Sequence, residues 1–244
     1  MTDKKKKVLV LQHLAIEHPG IFMDFFNADG FSVDIIHLDQ GQTIPDLRDY
    51  NALWVMGGPM DVWEEQKYPW LRSEKSAIRE AIRDFNIPFV GICLGHQLLA
   101  DALGGEVSMS KEPEVGVMNV ELTPQGKLDS HLLGLPDPLM CFQWHSSSIT
   151  RIPEQLNVLA SSQACPVQAL GNGHSVISIQ FHIEITHNTV SEWYSVPAYQ
   201  ASLDKTLGQG SISDLKKTVD DNLEGLNNLA KKFYQNWRKQ AFGF

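Results

Sequence analysis

With 244 residues, 43% of them hydrophobic, the chain has the make-up of a globular protein able to bury a full apolar core in one large domain or two small ones. A net charge of −9 argues against a general nucleic-acid-binding surface, and no run of about 18 apolar residues marks a membrane span. The N-terminus lacks the apolar segment of a signal peptide, and the three cysteines, Cys93, Cys141 and Cys165, suit free thiols in a reducing compartment, so a cytoplasmic protein is expected.

Residues 4–7 are all lysine and read as a solvated end leading into a strand. Residues 8–14 form the expected first buried strand, and Pro19 opens a short helix ending near Gly30. Strands follow at 31–38 and 52–56, the latter running into the Gly57-Gly58-Pro59 turn. Over 70–85 Leu71, Ile78, Ile82 and Phe85 share one helical face, which Asn86 and Pro88 end. The apolar run 89–92 is a fourth strand, and residues 97–103 open a helix. Strands alternating with helices predict an α/β fold whose mostly parallel sheet is flanked by helices.

The texture changes after Gly104-Gly105, with short strand-like runs at 115–121, 139–144, 156–160, 167–170 and 175–182. In the last, Ile177, Ile179 and Phe181 alternate with Ser178 and Gln180. From Asn188 the chain reads as helical to its end. Ile212, Leu215, Val219, Leu223, Leu226, Ala230, Phe233 and Trp237 recur at spacings of three and four, the mark of a long amphipathic helix packed over the sheet rather than a dimer seam. A hinge over 208–213 precedes it. The expected organisation is a catalytic domain over 1–187 and a helical extension over 188–244 packed on the same domain.

Cys93 follows the fourth strand at once and precedes a helix. A residue on such a sharp turn projects its side chain into a site, and the helix N-terminus favours an anion there. A thiol nucleophile needs a base, and a carboxylate to orient it. His182 ends a strand and Glu184 lies two residues on, sharing a face with it in extended chain. Backbone donors for an oxyanion are expected from Leu94, directly after the thiol, and from Gly58, where the missing side chain lets the backbone come close. Taken singly, each residue has an ordinary structural reading; four of them at strand ends on one sheet edge point to covalent catalysis.

The segments Gly91-Ile-Cys-Leu-Gly-His-Gln97, Gly57-Gly58-Pro59 and Gln180-Phe-His-Ile-Glu184 resemble, in order and spacing, the signature blocks of the class I (triad) glutamine amidotransferases, nearest to their stand-alone GMP-synthase-like branch. The likeness covers roughly residues 8–187. It implies a flavodoxin-like core, a Cys93-His182-Glu184 triad, no cofactor or metal, and hydrolysis of the glutamine side-chain amide through a γ-glutamyl thioester with release of ammonia. It further implies substrate-binding roles for Gln97 and for the segment Trp144, His145, Ser146 and Ser147. His145 is thereby read as a binding-loop histidine rather than a rival base, and His96 as a structural hydrogen-bonder. Cys141 and Cys165, in strand-like apolar runs, are expected to be inert core thiols. Where the family has His-Pro-Glu, this chain has Ile183 between histidine and glutamate.

The small-molecule substrate expected is glutamine or another γ-glutamyl compound, with a γ-glutamyl peptidase as the alternative and a non-catalytic partner protein or ligand sensor as the rival of another class. The resemblance leaves an ammonia-accepting synthetase as an implied partner, and no synthetase or phosphate-binding motif follows in this chain. The oligomeric state is left open.

Overall fold

The computed structural model describes residues 5–244; Lys4, the start of the basic run, lies outside the described residues. Nine strands form one sheet in the order β2-β1-β3-β4-β9-β8-β7-β5-β6. Its first five, β2 (Ser32–His37), β1 (Lys7–Gln12), β3 (Ala52–Val55), β4 (Phe89–Ile92) and β9 (Val176–Ile179), are parallel. That is the flavodoxin-like arrangement, in which sites form beyond the carboxyl ends of the strands. The remaining four, β8 (Ala169–Gly171), β7 (Asn157–Ser161), β5 (Glu106–Leu122) and β6 (Leu139–Arg151), continue the sheet antiparallel.

Alternation within each parallel strand divides the core, because successive side chains point to opposite faces. Val8 and Val10 of β1 and Trp54 of β3 face one layer, formed by α1 (Phe22–Ala28) and the C-terminal half of α6 (Ile212–Phe242). Leu9, Leu11 and Val55 face the other, formed by α2 (Trp70–Arg83) and α3 (Leu94–Ala102). Trp237 of α6 is fully buried edge-on against Trp54, ring centroids 5.0 Å apart. A buried large apolar side chain of this kind is worth about 1.5–3 kcal/mol. The apolar face of α6 thus covers the sheet, as its spacing predicts.

The N-terminal half of α6 turns to a third cluster. Leu215, Val219, Leu223 and Leu226 pack with Trp193 of α4 (Thr189–Tyr194), Tyr199 of α5 (Pro197–Leu207), and Phe142 and Trp144 of β6. The helical stretch after Asn188 is therefore three helices, and the 208–213 hinge is the glycine-containing turn between α5 and α6.

Two expectations change. β5 and β6 are far longer than the apolar runs that predict them, because residues 106–114 form a largely exposed ribbon arm with no apolar alternation to read. Its register breaks between Met109 and Glu114, where Pro113 has no N–H to give. Phe85 lies past the end of α2 and is 36% exposed; the buried face is completed by Ala77 and Ala81, and it also carries Glu74 and Lys75. No helix among the described residues is long and apolar enough to cross a membrane.

Candidate active site

Cys93 is the hinge between β4 and α3, with φ 51° and ψ −102°. A non-glycine residue there costs on the order of 1–3 kcal/mol, so the surroundings must hold it. Its amide donates to Ile179 O at 2.9 Å and its carbonyl accepts from His96 and Gln97 at 3.0 and 3.1 Å. The Gly95 amide ties the turn to Met56 O at 3.1 Å. The flanking glycines are required by space: a Cβ on Gly91 would stand 2.6 Å from Gly95 O, and one on Gly95 would stand 2.1 Å from Val55 O.

His182 follows β9 and is clamped to β6 by a two-way backbone bridge with Phe142, at 2.8 and 3.1 Å. Its Nδ1 lies 2.6 Å from Glu184 Oε1. The second oxygen, Oε2, accepts from the Ile183 amide at 2.9 Å. A proline at 183 has no N–H to offer, so the departure from His-Pro-Glu adds a hydrogen bond to the carboxylate. Trp193 stands edge-on to the imidazole at 4.6 Å. Burial works against charge on His182, but the neighbouring Glu184 and Cys93 outweigh it and hold its pKa well above the usual histidine value.

Gly58 and Leu94 approach closely, since a Cβ on Gly58 would stand 2.9 Å from the Leu94 side chain. Among the described residues neither amide donates to a protein acceptor. Gln97 is buried: its Nε2 donates to Ser147 O at 3.1 Å and to Gln180 Oε1 at 3.0 Å, while Gln180 Nε2 donates to Cys93 Sγ at 3.5 Å. Cys93, Gly58, Gln97, Trp144, His145, Ser146 and Ser147 all line one cavity of about 200 Å³. Asp61 stands on the same wall and accepts from Ser147 Oγ at 2.7 Å. Ala198, Tyr199 and Ser202 of α5 form its roof.

His145 is committed elsewhere. Its Nε2 meets Glu114 Oε2 at 3.1 Å and its Nδ1 lies 3.0 Å from Ser147 O. Glu114, His145 and Cys165 bring three ligand-type atoms within 4.8 Å of one another. Both Glu114 oxygens are already hydrogen-bonded, by Ser162 and Gln168 at 2.7 Å as well as by His145, and burial pushes the Cys165 thiol up to about 12. The cluster acts as a hydrogen-bonded prop under the cavity wall. His96 is likewise structural: it contacts Ser178 Oγ at 2.8 Å and Val167 O at 3.1 Å, and burial lowers its pKa to about 3. Burial raises Cys141 well above the usual thiol value, as expected of an inert core thiol.

Several buried polar groups near the cavity escape a reading of the sequence. His13 lies 2.7 Å from Gly57 O and 2.8 Å from Glu74 Oε1. Burial opposes its charge, yet Glu74 raises its pKa. Glu74 carries a visible signal, a carboxylate three residues after Leu71 and four before Ile78 on the apolar face of α2. Glu17, in the loop between β1 and α1, accepts a hydrogen bond from the Tyr199 hydroxyl. No local pattern marks that pair, because its members are far apart in the chain.

A family model for "glutamine amidotransferase class-I" matches residues 24–194. The amidotransferase-type component of a glutamine-hydrolysing GMP synthase from Sulfolobus acidocaldarius is 30% identical over 64% of this chain and 78% of its own length. A glutamine amidotransferase-like protein, YfeJ, of Salmonella typhimurium is 30% identical over 75% of this chain and 78% of its own. Among solved structures, a glutamine amidotransferase from Thermotoga maritima superposes with a TM-score of 0.84 at 30% identity, covering 96% of this chain and 98% of that one. One from Methylobacillus flagellatus gives 0.85, also at 30%, covering 97% and 96%.

Proposed function

This chain belongs to the glutamine amidotransferase class-I family, and we propose that it hydrolyses the side-chain amide of free glutamine with Cys93 as nucleophile. The observation that carries this is the convergence of the Cys93 thiol and the His182–Glu184 pair at one small, roofed cavity. His182 takes the thiol proton, and the thiolate attacks the γ-carbonyl carbon. The carbonyl electron pair moves to oxygen, where the Gly58 and Leu94 amides donate. When the tetrahedral adduct collapses, the C–N bond breaks, His182 returns its proton to nitrogen, and ammonia leaves a γ-glutamyl thioester. His182 then deprotonates water, which attacks the thioester; glutamate leaves and the thiol is restored. Glu184 keeps Nδ1–H oriented and stabilises the imidazolium.

The cavity size favours the free amino acid over a peptide. About 200 Å³ falls below the roughly 300–1,000 Å³ of pockets that take drug-sized ligands, and α5 covers the side where a longer γ-glutamyl substituent would leave. Gln97, Trp144, His145, Ser146 and Ser147 are the proposed walls for the amino-acid end. Because the Sulfolobus relative is one component of a glutamine-hydrolysing synthase, a synthetase that accepts the ammonia is the proposed partner. Residues 188–244 are proposed to be an extension of the same domain, since α6 shares its core. A non-catalytic sensor would have no use for thiol, base and carboxylate together.

The test is incubation of the purified chain with glutamine and with γ-glutamyl dipeptides, following ammonia and glutamate. Glutamine turnover that Cys93→Ser abolishes is the expected result. Preferential cleavage of the dipeptides would transfer the site to the peptidase reading. Inertness toward both, with Cys93 resisting a glutamine-analogue alkylator, would overturn the enzyme reading.

A further inference from the structure

The proposed reaction leaves one buried acid beside the imidazole unused. Glu17 is 2% exposed, and its Oε1 accepts from the Tyr199 hydroxyl of α5. Its Oε2 points at the gap left by Gly57. A Cβ on that glycine would stand 2.5 Å from Glu17 Oε2 and 3.4 Å from His182 Cε1. Only this missing methyl separates the carboxylate from the imidazole edge. The ring of His182 therefore has Glu184 on Nδ1, Trp193 on its face and Glu17 off Cε1. The charged and titratable groups acting on Glu17 are His182, Tyr199, Glu184 and His13.

We propose that Glu17 is a positioning residue for the reaction: a second carboxylate that stabilises the His182 imidazolium paired with the Cys93 thiolate, tied by Tyr199 to the α5 roof. This deepens the proposed function and rests on its assignment of Cys93 and His182. Proton transfer from Cys93 to His182 creates one cation and one anion, and Glu17 favours the cation. A lone carboxylate in so dry a place resists ionising; burial pushes Glu17 up to about 7, against the pull of His182 and the Tyr199 hydroxyl. Its charge therefore arrives near neutrality, where the pair must form. Glycine at 57 is what lets this carboxylate approach, so the turn serves both the oxyanion side and the base side of the site.

The test uses the full chain and two readouts that need no substrate: the ¹⁵N NMR titration of the His182 ring, assigned with His182→Ala, and the rate of Cys93 alkylation by iodoacetamide at pH 7.5. Glu17→Gln is expected to lower the His182 midpoint by about one pH unit and to slow alkylation about tenfold. In a His182→Ala background Glu17→Gln is expected to change alkylation little, since the effect passes through the imidazole. Tyr199→Phe, which removes the donor that favours the Glu17 charge, is expected to move both readouts the same way by less. A folded Glu17→Gln protein with an unmoved His182 midpoint would overturn the proposal, as would an equal slowing in the His182→Ala background. If Glu17→Gln does not fold, Tyr199→Phe decides by the same two readouts. Should His182 respond as expected in a protein inert toward glutamine, the glutaminase reading fails and the Glu17–His182 coupling stands.

Discussion

The carbonyl oxygen of Glu184 occupies the place of a Gly20 side chain: a Cβ there would stand 1.8 Å from it, and the Ile21 amide donates to the same oxygen at 3.0 Å. Gly20 also has φ +55°, a region that costs other residues energy. The start of α1 is thus clamped onto the segment carrying His182 and Glu184. Gly20→Ala is expected to lose about 2 kcal/mol or more in urea denaturation and to lower glutamine turnover beyond any loss of folded protein. A variant as stable as the wild type would show that the clamp does not constrain this segment.

Strain at Cys93 makes a prediction that reverses the usual order of residues. Cys93→Ala and Cys93→Gly both remove the thiol and should both be inactive. At most sites alanine is the more stabilising by about 0.5–1 kcal/mol. At φ 51°, ψ −102°, a glycine relieves strain that alanine retains, so Cys93→Gly is expected to melt at or above Cys93→Ala. The opposite order in matched thermal melts would mean that the turn imposes no strain on its nucleophile.

The sheet and the His182–Glu184 pair were legible in the sequence because each sits on a pattern with a fixed period or a sharp boundary. Alternation places Leu9 and Leu11 opposite Val8 and Val10, and a thiol between an apolar run and a helix start announces the elbow. The exposed arm of β5 was not legible, since a strand without a buried face has no apolar alternation. The substitution at 183 was legible only as a loss of proline's fixed φ; that its N–H reaches Glu184 depends on where the carboxylate turns. Glu17 and Tyr199 meet across 182 residues of chain, and neither carries a local mark of the contact.

The roles proposed for His182 and Glu184 are unequal. His182 moves protons in both half-reactions, whereas Glu184 orients and stabilises the charged ring. His182→Ala is therefore expected to abolish glutamine turnover, and Glu184→Ala to retain at least about tenfold more activity than His182→Ala. Loss of Glu184 should also lower the pH at which His182 gives up its proton, because Glu184 is the largest influence holding that pKa up against burial. Equal and complete loss in both variants, with folding intact, would give Glu184 more than an orienting role.

Asp61 offers a carboxylate on the wall of a cavity proposed to take an amino acid. Its Oδ1 is already held by Ser147 Oγ at 2.7 Å, which fixes the side chain, and burial raises its pKa. The α-ammonium of glutamine is the natural partner for such a charge. Asp61→Asn keeps size and a hydrogen-bonding oxygen but removes the charge, so KM for glutamine is expected to rise about 10–100-fold, the worth of one hydrogen bond to a charged group. The thiol chemistry is untouched, and kcat should stay within about threefold. A fall in kcat with KM unchanged would remove Asp61 from ammonium recognition.

Glu17 also predicts how stability responds to pH. Its pKa is raised on folding from 4.5 to about 7, chiefly by burial. A carboxyl group with a raised folded pKa holds its proton more tightly in the native state, so its contribution is fully present below about 4.5 and is lost as pH rises through about 7. The unfolded chain has already ionised across that window, while the native chain has not. Glu17→Gln carries no such proton. Relative to wild type it should gain stability steadily between pH 4.5 and 7, on the order of 3 kcal/mol in all, and then level off. His182, whose pKa is also raised, pulls the wild type in the same direction, so the difference between the two proteins, and not either profile alone, isolates Glu17. Urea denaturation of both at pH 4.5, 6 and 8 measures it. A constant difference across those three values would mean that Glu17 does not change its ionisation on folding, and the charge it lends to His182 would then have to be present at every pH where the site works.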